Sequence, residues 1–461
     1  MSIIASFIVP HPPLSIKEVG KGSENQIIKT INSYKNISKQ ISDIKPDTII
    51  ISSPHTKVYT DYFNVLSAPN LLGTMGNFGA PQVTFNEEND LELVEEIDKI
   101  CKEENFKGGI TDKKYYELDH GTMVPLYFIK EYYKDFKIIV IGISGLSDYN
   151  HFRMGEIINE AVEKLGRKAV YIASGDLSHK LQEYGPYGYI EEGKIYEEQI
   201  VEISQKADFK RLFSIDPVIC EKSAQCGHRS FIIMSGAINK KELKTTFYSH
   251  EDITGVGYEI LSYYINGDNE NNDYYKNYLK EEKNRLVNYY NNVDNYVLLA
   301  KKTIEEYIIK NKKIDIPYNT PKELLDNKAG VFVSIHEFNE LRGCIGTITP
   351  TKSNIAEEII ENAISASTKD YRFNKIDKEE LPFLEINVDV LMPAEPVENI
   401  NELDPKKYGI IVSSGYKRGL LLPDLDTIDT VEEQIRIAKM KGNIKDDEEI
   451  TIQKFTVERH K

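Results

Sequence analysis

The sequence has 461 residues, of which 40% are hydrophobic and 28% charged, and its formal net charge is −16. The length predicts two or three domains, and the acidic charge argues against binding to nucleic acid or an anionic membrane, which requires a basic surface. Four cysteines without a CxxC pair indicate a reduced, cytoplasmic protein rather than a disulfide scaffold. The N-terminus has no basic segment, and no apolar run approaches a membrane span, so neither a signal peptide nor an anchor is expected.

The first part of the chain alternates short apolar runs with helical patterns. The apolar runs that predict buried strands are residues 3–9, 48–51, 137–143 and 168–173, followed by a last strand at 245–249 and a further segment at 257–264. Helical spacing predicts helices at residues 24–44, 89–104, 152–165, 194–213 and 216–239. This alternation predicts an α/β fold in which a mostly parallel sheet is flanked by helices on both faces.

A polar, Asn-rich run at residues 266–277 interrupts this pattern and predicts a linker between domains. We therefore expect a first domain at residues 1–267, a linker at 268–288 and a second domain at 289–461. The second domain begins with a helical pattern near 291–310 and continues with strand candidates at 330–335, 384–392, 409–413 and 450–455. These elements predict a smaller α+β domain.

Three histidines occupy equivalent places in the first domain. His11, His55 and His179 each follow a predicted buried strand and a break in the chain, and His120 lies in a loop near the start of a helix. The carboxyl ends of parallel strands meet at one edge of a sheet, where α/β proteins build their sites. Neutral imidazole binds Fe(II), Zn(II) and Cu, so the pattern indicates a metal or acid–base site at this edge.

The segments that contain these histidines, Pro10–Pro12, Ser53–His55, Leu118–Gly121 and Ser174–His179, resemble the class III extradiol ring-cleavage dioxygenases (LigB-like). They are still more similar to the related Memo family. The resemblance implies that His11 and His55 bind the metal and that His179 is the catalytic acid and base. It also implies that His120 contacts the substrate or supports the ligands.

The third metal ligand differs between the two resemblances. The dioxygenases have a glutamate on a later helix, where this chain has Gln225 and Cys226, whereas the Memo family has a cysteine in this Cys-Gly context. We therefore expect Cys226 as the ligand. The alternatives are Gln225, Glu221, His228 and Glu251. Fe(II) is the expected metal, with Cu or Zn(II) as alternatives because a thiolate favours a softer metal.

The second domain contains the segment Leu341–Gly346 (LRGCIG), in which glycines flank Cys344 and let the backbone approach another group closely. The neighbouring Arg342 could hold a thiolate or an anion, so Arg342 and Cys344 form a candidate second site. Together with Asp370–Phe373 and Arg418–Pro423, this segment resembles the AMMECR family, which has no settled reaction.

The resemblances imply a metal-dependent oxidoreductase that acts on a catechol-like aromatic diol with non-haem Fe(II). The alternative is a copper- or zinc-binding redox or partner module without ring-cleavage activity. Memo-like and AMMECR-like domains in one chain also resemble the AmmeMemoRadiSam system, which implies a radical S-adenosylmethionine protein as a partner.

Overall fold

The computed structural model describes residues 2–111, 115–425 and 428–461. The chain divides into two compact units, residues 1–280 (unit 1) and 281–461 (unit 2). The boundary lies inside a helix, Tyr274–Tyr290, so much of the expected linker is helical. Tyr274 and Tyr278 are buried in unit 1 against Phe209 and Phe213, which orders the first turns of this helix.

Unit 1 contains ten strands and nine helices among its described residues, counting the helix at the boundary. The strands are β1 (Ile3–Val9), β2 (Thr48–Ser53), β3 (Phe63–Asn64), β4 (Asn70–Met75), β5 (Ala80–Glu88), β6 (Gly108–Gly109), β7 (Lys137–Gly142), β8 (Ala169–Ser174), β9 (Lys241–Glu251) and β10 (Tyr258–Asp268). The helices are α1 (Lys17–Gly20), α2 (Ile28–Ile44), α3 (Leu91–Glu103), α4 (His120–Lys130), α5 (Asp148–Leu165), α6 (Glu191–Lys206), α7 (Pro217–Lys222), α8 (His228–Ala237) and α9 (Tyr274–Tyr290).

The centre of unit 1 is a six-stranded sheet in the order β7-β2-β8-β1-β10-β9. The first four strands are parallel, whereas β10 and β9 extend the sheet with antiparallel pairing. All side chains of β2 and β8 are buried, as expected for strands covered by helices on both faces. The predicted α/β fold with a mostly parallel sheet is confirmed.

The segment predicted as one helix at residues 216–239 is instead two helices, α7 and α8. The chain turns between them at residues 223–227, where Ala224 adopts a left-handed φ of 52°. The backbone N–H groups of Cys226 and Gly227 donate to the carbonyl oxygen of Asp176 rather than to an earlier turn of a helix. This tertiary contact outweighs the local helical pattern.

A partly buried ion pair links the amino ends of several elements in unit 1. Asp90 caps α3 and accepts two hydrogen bonds from the Arg167 guanidinium, at 2.9 and 3.0 Å, and one from the Thr48 hydroxyl. Burial alone would raise the pKa of Asp90, but the bonds from Arg167 and Thr48 more than offset it and hold the pKa below its usual value. The carboxylate form therefore stabilises the fold.

We expect Asp90→Asn to lower the free energy of unfolding by about 2 kcal/mol, because the partly buried Arg167 loses its charge-assisted hydrogen bonds to Asp90 and keeps only the exposed Glu92 as an ion-pair partner. Since the folded pKa lies below the unfolded value of about 3.9, this stabilisation is present above that pH and is lost as the pH falls through the folded pKa. Hydrogen-exchange mass spectrometry at increasing urea concentrations measures the free energy of unfolding. Peptides from α3 report on unit 1 separately from unit 2. The control is Asp43→Asn, on the exposed side of α2. Equal effects of the two variants at pH 7 would contradict this role.

The described residues of unit 2 form two four-stranded sheets, in the orders β12-β11-β13-β18 and β14-β17-β15-β16. Its strands are β11 (Gly330–Glu337), β12 (Glu340–Gly346), β13 (Leu384–Leu391), β14 (Glu395–Pro396), β15 (Gly409–Ser414), β16 (Lys417–Leu421), β17 (Thr451–Phe455) and β18 (Val457–His460). Its helices after α9 are α10 (Asn295–Lys310), α11 (Lys322–Asp326), α12 (Ile355–Thr368) and α13 (Val431–Lys441). The expected smaller α+β domain is confirmed. In the described parts of both units, no helix is long and apolar enough to span a membrane.

Candidate metal centre

The carboxyl ends of three parallel strands of unit 1 deliver the predicted histidines. His11 follows β1, His55 follows β2, and the loop with Asp176 and His179 follows β8, which lies between the other two strands in the sheet. Because the strands are parallel, their carboxyl ends share one edge. The sheet therefore gathers side chains that are up to 168 residues apart in sequence.

Three potential ligand atoms converge at this edge. The Nε2 atoms of His11 and His55 are 3.0 Å apart, and the Sγ atom of Cys226 lies 3.4 Å from Nε2 of His11. These three atoms lie within 4.8 Å of one another. Two nitrogens on one tetrahedral zinc ion are about 3.3 Å apart, and a nitrogen and a sulfur about 3.6 Å. The two distances from Nε2 of His11 therefore match a shared metal ion within a few tenths of an ångström, and all three atoms are close enough to converge on one ion.

Ser174 fixes the tautomer of His11. The Ser174 hydroxyl donates its proton to the carbonyl oxygen of Gly121 at 2.5 Å, so at 2.9 Å it accepts a hydrogen bond from Nδ1–H of His11. The proton of neutral His11 is thus on Nδ1, which leaves the lone pair of Nε2 directed to the site. Metal-binding histidines are commonly oriented by such a partner on the other ring nitrogen.

We expect Ser174→Ala to weaken metal binding roughly 10–100-fold without abolishing it, because the ring of His11 loses its orienting partner. Competition with a chromophoric chelator measures the change in affinity. The matched control is Ser52→Ala near the end of β2, since Ser52 is equally buried but its hydroxyl contacts Ser230 and Tyr171 rather than a predicted metal ligand. A Ser174 variant that binds as tightly as the Ser52 variant would contradict the assigned tautomer.

The loop after β8 holds Cys226 in position. The N–H of Asp176 donates to Sγ of Cys226 at 3.2 Å, and the carbonyl oxygen of Asp176 accepts from the N–H of Cys226 and from that of Gly227. A carboxylate oxygen of Asp176 also accepts from the N–H of His11 at 2.7 Å. Asp176 therefore ties the turn that carries Cys226 to the end of β1. The sequence motif contained Asp176 but gave no sign of this structural role.

His179 lies beside these ligands with a free ring nitrogen. Its Nε2 atom is buried without a hydrogen-bond partner among the described residues and is 3.9 Å from a carboxylate oxygen of Asp176. Its ring stacks on Tyr187 with centroids 5.3 Å apart. The preceding Ser178 donates its N–H to Glu197, which in turn contacts Nε2 of His250 at 2.6 Å. The loop that presents His179 is thus held from several sides.

His120 is the first residue of α4, which agrees with its predicted place near a helix start. Its ring stacks on His55 with centroids 4.2 Å apart and meets the edge of His11 at 5.2 Å. The helix cap Asp119 accepts a hydrogen bond from the Ser53 hydroxyl at 2.6 Å, which ties α4 to the end of β2. The ring of Phe78 meets that of His120 edge-on, with centroids 5.3 Å apart.

The electrostatics of the site favour neutral imidazoles. Burial first, and then the neighbouring His55, hold the pKa of His11 well below its usual value and lower the pKa values of His120 and His179 to about 4. Burial also raises the pKa of Asp176 to about 7 and that of the Cys226 thiol well above its usual value. Neutral imidazoles can bind a metal directly, whereas the thiol needs a nearby cation to ionise, which a bound metal supplies.

The other candidates for the third ligand take different roles. The side-chain oxygen of Gln225 accepts from the N–H of His228, and Glu251 accepts from the N–H and hydroxyl of Thr30. Glu221 is exposed on α7, and the ring of His228 packs against Tyr196. Among the described residues, only Cys226 completes a three-ligand group with His11 and His55.

In unit 2, Arg342 does not accompany Cys344 as expected. The guanidinium of Arg342 pairs with Glu380 at 2.6 Å and donates to the carbonyl oxygen of Asn374. The pairing of β11 with β12 shifts register next to Arg342, and such a bulge redirects a side chain. Arg372 takes the expected place, because it donates to the carbonyl oxygen of Cys344 at 3.2 Å.

Comparison with known proteins identifies both units. The family model described as the catalytic LigB subunit of aromatic ring-opening dioxygenase matches residues 5–261, which is more than half of the chain. The chain belongs to the LigB family. The AMMECR1 family model matches residues 297–460, so unit 2 of this LigB-family protein contains an AMMECR1 domain. The fusion that the motifs implied is confirmed.

Relatives of this LigB-family protein include one with the same extent. A protein of Clostridium acetobutylicum is 40% identical over 100% of both chains. A Thermotoga maritima protein is 53% identical over 32% of this chain and 87% of its own length. A solved structure of an uncharacterized Pyrococcus horikoshii protein is 34% identical, with a TM-score of 0.33, and covers 36% of this chain and 88% of its own.

Proposed function

We propose that unit 1 binds one copper or zinc ion through His11, His55 and Cys226 and serves as a redox or partner module. The observation that supports this most directly is the position of Cys226, whose sulfur lies 3.4 Å from Nε2 of His11. Sulfur ligands favour Cu(I) and Zn over Fe(II), which prefers two histidines and a carboxylate. The copper- or zinc-binding module is therefore better supported than an Fe(II)-dependent dioxygenase.

The bound ion would supply Lewis acidity or, if it is copper, one-electron chemistry. The residues of the chain supply the environment. Ser174 orients His11, and Asp176 holds the turn that carries Cys226. His179 offers an unpartnered Nε2 that can accept a proton from a ligand entering the site, and Asp176 lies close enough to exchange that proton after a small movement.

A second candidate function is ring cleavage of a catechol-like substrate with Fe(II), and Asp176 favours it. A carboxylate oxygen of Asp176 lies 4.0 Å from Nε2 of His11, and Asp176, His179 and Cys226 also form a group of potential ligands. A modest shift of this carboxylate would offer the oxygen ligand that ferrous oxygenases use. In this function His179 accepts the catechol proton and His120 contacts the substrate.

Metal analysis of the full chain purified without oxygen distinguishes the two functions. Stoichiometric copper or zinc, together with no catechol-dependent oxygen uptake after reloading with each metal, supports the redox or partner module. Stoichiometric iron and oxygen uptake with catechols would instead establish ring cleavage. A chain that binds none of the three metals would overturn both functions.

The partnership with a radical S-adenosylmethionine protein stays a prediction. The combination of LigB-family and AMMECR1 domains in one chain is what supports it. Anaerobic size-exclusion chromatography of the chain mixed with such a protein from the same genome is the direct test. A joint peak supports the partnership, and separate elution at micromolar concentrations contradicts a stable complex.

A further inference from the structure

Unit 2 contains a cavity of about 790 Å³ that the proposed metal centre does not involve. It lies on one face of the sheet β12-β11-β13-β18. Alternate residues of β11 separate the two faces: Val331, Val333 and Ile335 are buried in the core with α12, whereas Phe332 and Ser334 line the cavity. This second face is polar and half-buried rather than fully solvated, which is typical of a binding surface.

One wall of the cavity is apolar. Phe332, Ile348, Leu420 and Leu422 line it and pack around a small buried cluster that includes Ile411. These side chains remain partly exposed to the cavity. A ligand with an apolar body would remove this surface from water, which is the main source of affinity in small-molecule sites.

Two arginines at the cavity pair with its buried carboxylates and still have spare donors, while a third carboxylate, that of Asp424, is exposed at the cavity and acts electrostatically on Arg459. Arg372 binds Asp370 through two nitrogens, at 2.9 and 2.7 Å, and Arg459 binds Asp389 in the same way, at 2.9 and 3.3 Å. The carboxylates of Asp370 and Asp389 are therefore already paired, whereas each guanidinium keeps further N–H groups. The hydrogen bond from Arg372 lowers the pKa of Asp370 to about 2, so this pair stays charged.

Lys441 adds a positive charge at the same cavity. Its ammonium group has no ion pair among the residues that the structure describes, and it interacts electrostatically with Cys344 and Arg372. Cys344 itself accepts a hydrogen bond from the Ser334 hydroxyl at 3.3 Å and donates its backbone N–H to Asp370. The thiol is therefore held among groups that can receive an anion.

We propose that this cavity binds a small molecule with an anionic group, a carboxylate or a phosphate, attached to an apolar body. The anionic group binds at Lys441 and the free N–H groups of Arg372, and the body packs against Phe332 and Leu420. The bound molecule lies next to Cys344 and covers its thiol. This site is independent of the metal centre and does not rest on the function proposed for unit 1.

Alkylation of Cys344 by iodoacetamide in the full chain reports on occupancy of the cavity. The probes are octanoate, octyl phosphate and the neutral octanamide, and mass spectrometry gives the alkylation rate of each cysteine. Cys220, in α7 of unit 1, serves as an internal reference for general unfolding by the probes. We expect at least one anionic probe to slow alkylation of Cys344 about tenfold, saturably, while the rate at Cys220 is unchanged. The anion that protects identifies the preferred head group.

Two lysine variants test whether Lys441 binds the anionic group. Lys441→Gln is expected to abolish protection by the anionic probe. Lys439→Gln, on the same helix, removes the same charge from a residue that pairs with Asp446 outside the cavity, and it should retain protection. Equal protection by octanamide, no protection by either anion, or full protection in the Lys441 variant would each overturn the proposal.

Discussion

Replacing Cys226 by serine is expected to lower the affinity of unit 1 for copper or zinc by at least about 100-fold. This effect is larger than the loss expected when a residue that only orients a ligand, such as Ser174, is removed. The serine hydroxyl has nearly the same shape, but it does not ionise as a metal-bound thiol does. His11 and His55 then remain as two ligands, too few for a closed site. Chelator competition under anaerobic conditions measures the change for Cu(I) and Zn(II).

Cys220→Ser is the matched control for this substitution. Cys220 lies six residues earlier in α7, is half-buried like Cys226, and is outside the three-ligand group. We expect the control variant to bind metal as the wild type does. Equal affinities of the two variants would contradict a role for the Cys226 sulfur and favour the ferrous site with Asp176.

Gly175→Ala is expected to disrupt the metal centre without changing any ligand. A Cβ atom at Gly175 would lie 2.1 Å from Cα of Gly227, well inside van der Waals contact. The added Cβ would collide with backbone atoms of Gly227, which cannot rotate away as a side chain can. The loop after β8 and the turn that carries Cys226 must therefore separate. We expect a loss of about 3 kcal/mol in the free energy of unfolding, at the upper end for overpacking, together with loss of bound metal.

The control for Gly175 is Gly188→Ala in the loop before α6. No atom lies within 4 Å of the added Cβ there, so the cost is limited to about 1 kcal/mol of backbone strain at its φ of 74°. Its metal content should equal that of the wild type. Hydrogen exchange of β8 and elemental analysis of the folded fraction provide the two readouts. A Gly175 variant that keeps its metal would show that the close approach to Gly227 is not needed for the site.

The sheet and its histidines were predictable because one physical signal determines both. Buried parallel strands have long runs of apolar, mostly β-branched residues, and His11 and His55 each follow such a strand after a single proline. Parallel pairing then brings the histidines to one edge whatever the details of the loops. The α/β fold and the proximity of these two side chains therefore follow from local patterns.

The turn that carries Cys226 could not be predicted in the same way. Residues 216–239 have a helical pattern, and the break at 223–227 depends on contacts with Asp176, which is 50 residues away in sequence. The bulge that redirects Arg342 is likewise a property of strand pairing rather than of the segment itself. In both cases a distant hydrogen-bond partner outweighs the local preference.

The antiparallel hairpin of β4 and β5 was also missed from the sequence. Its strands contain glycine and proline and show no clear alternation, and the chain turns at Gly79 with a left-handed φ of 79°. This hairpin nevertheless delivers Phe78 to His120. Gly73, Gly76 and Gly79 predict a flexible loop near the site, and the structure shows a hairpin there instead.

X-ray absorption spectroscopy of the metal-loaded chain tests the identity of the third ligand most directly. We predict one sulfur scatterer at about 2.3 Å together with imidazole nitrogens at about 2.0–2.1 Å, and loss of the sulfur signal in Cys226→Ser. A spectrum that contains only nitrogen and oxygen neighbours, and that Cys226→Ser leaves unchanged, would contradict the His11, His55 and Cys226 centre.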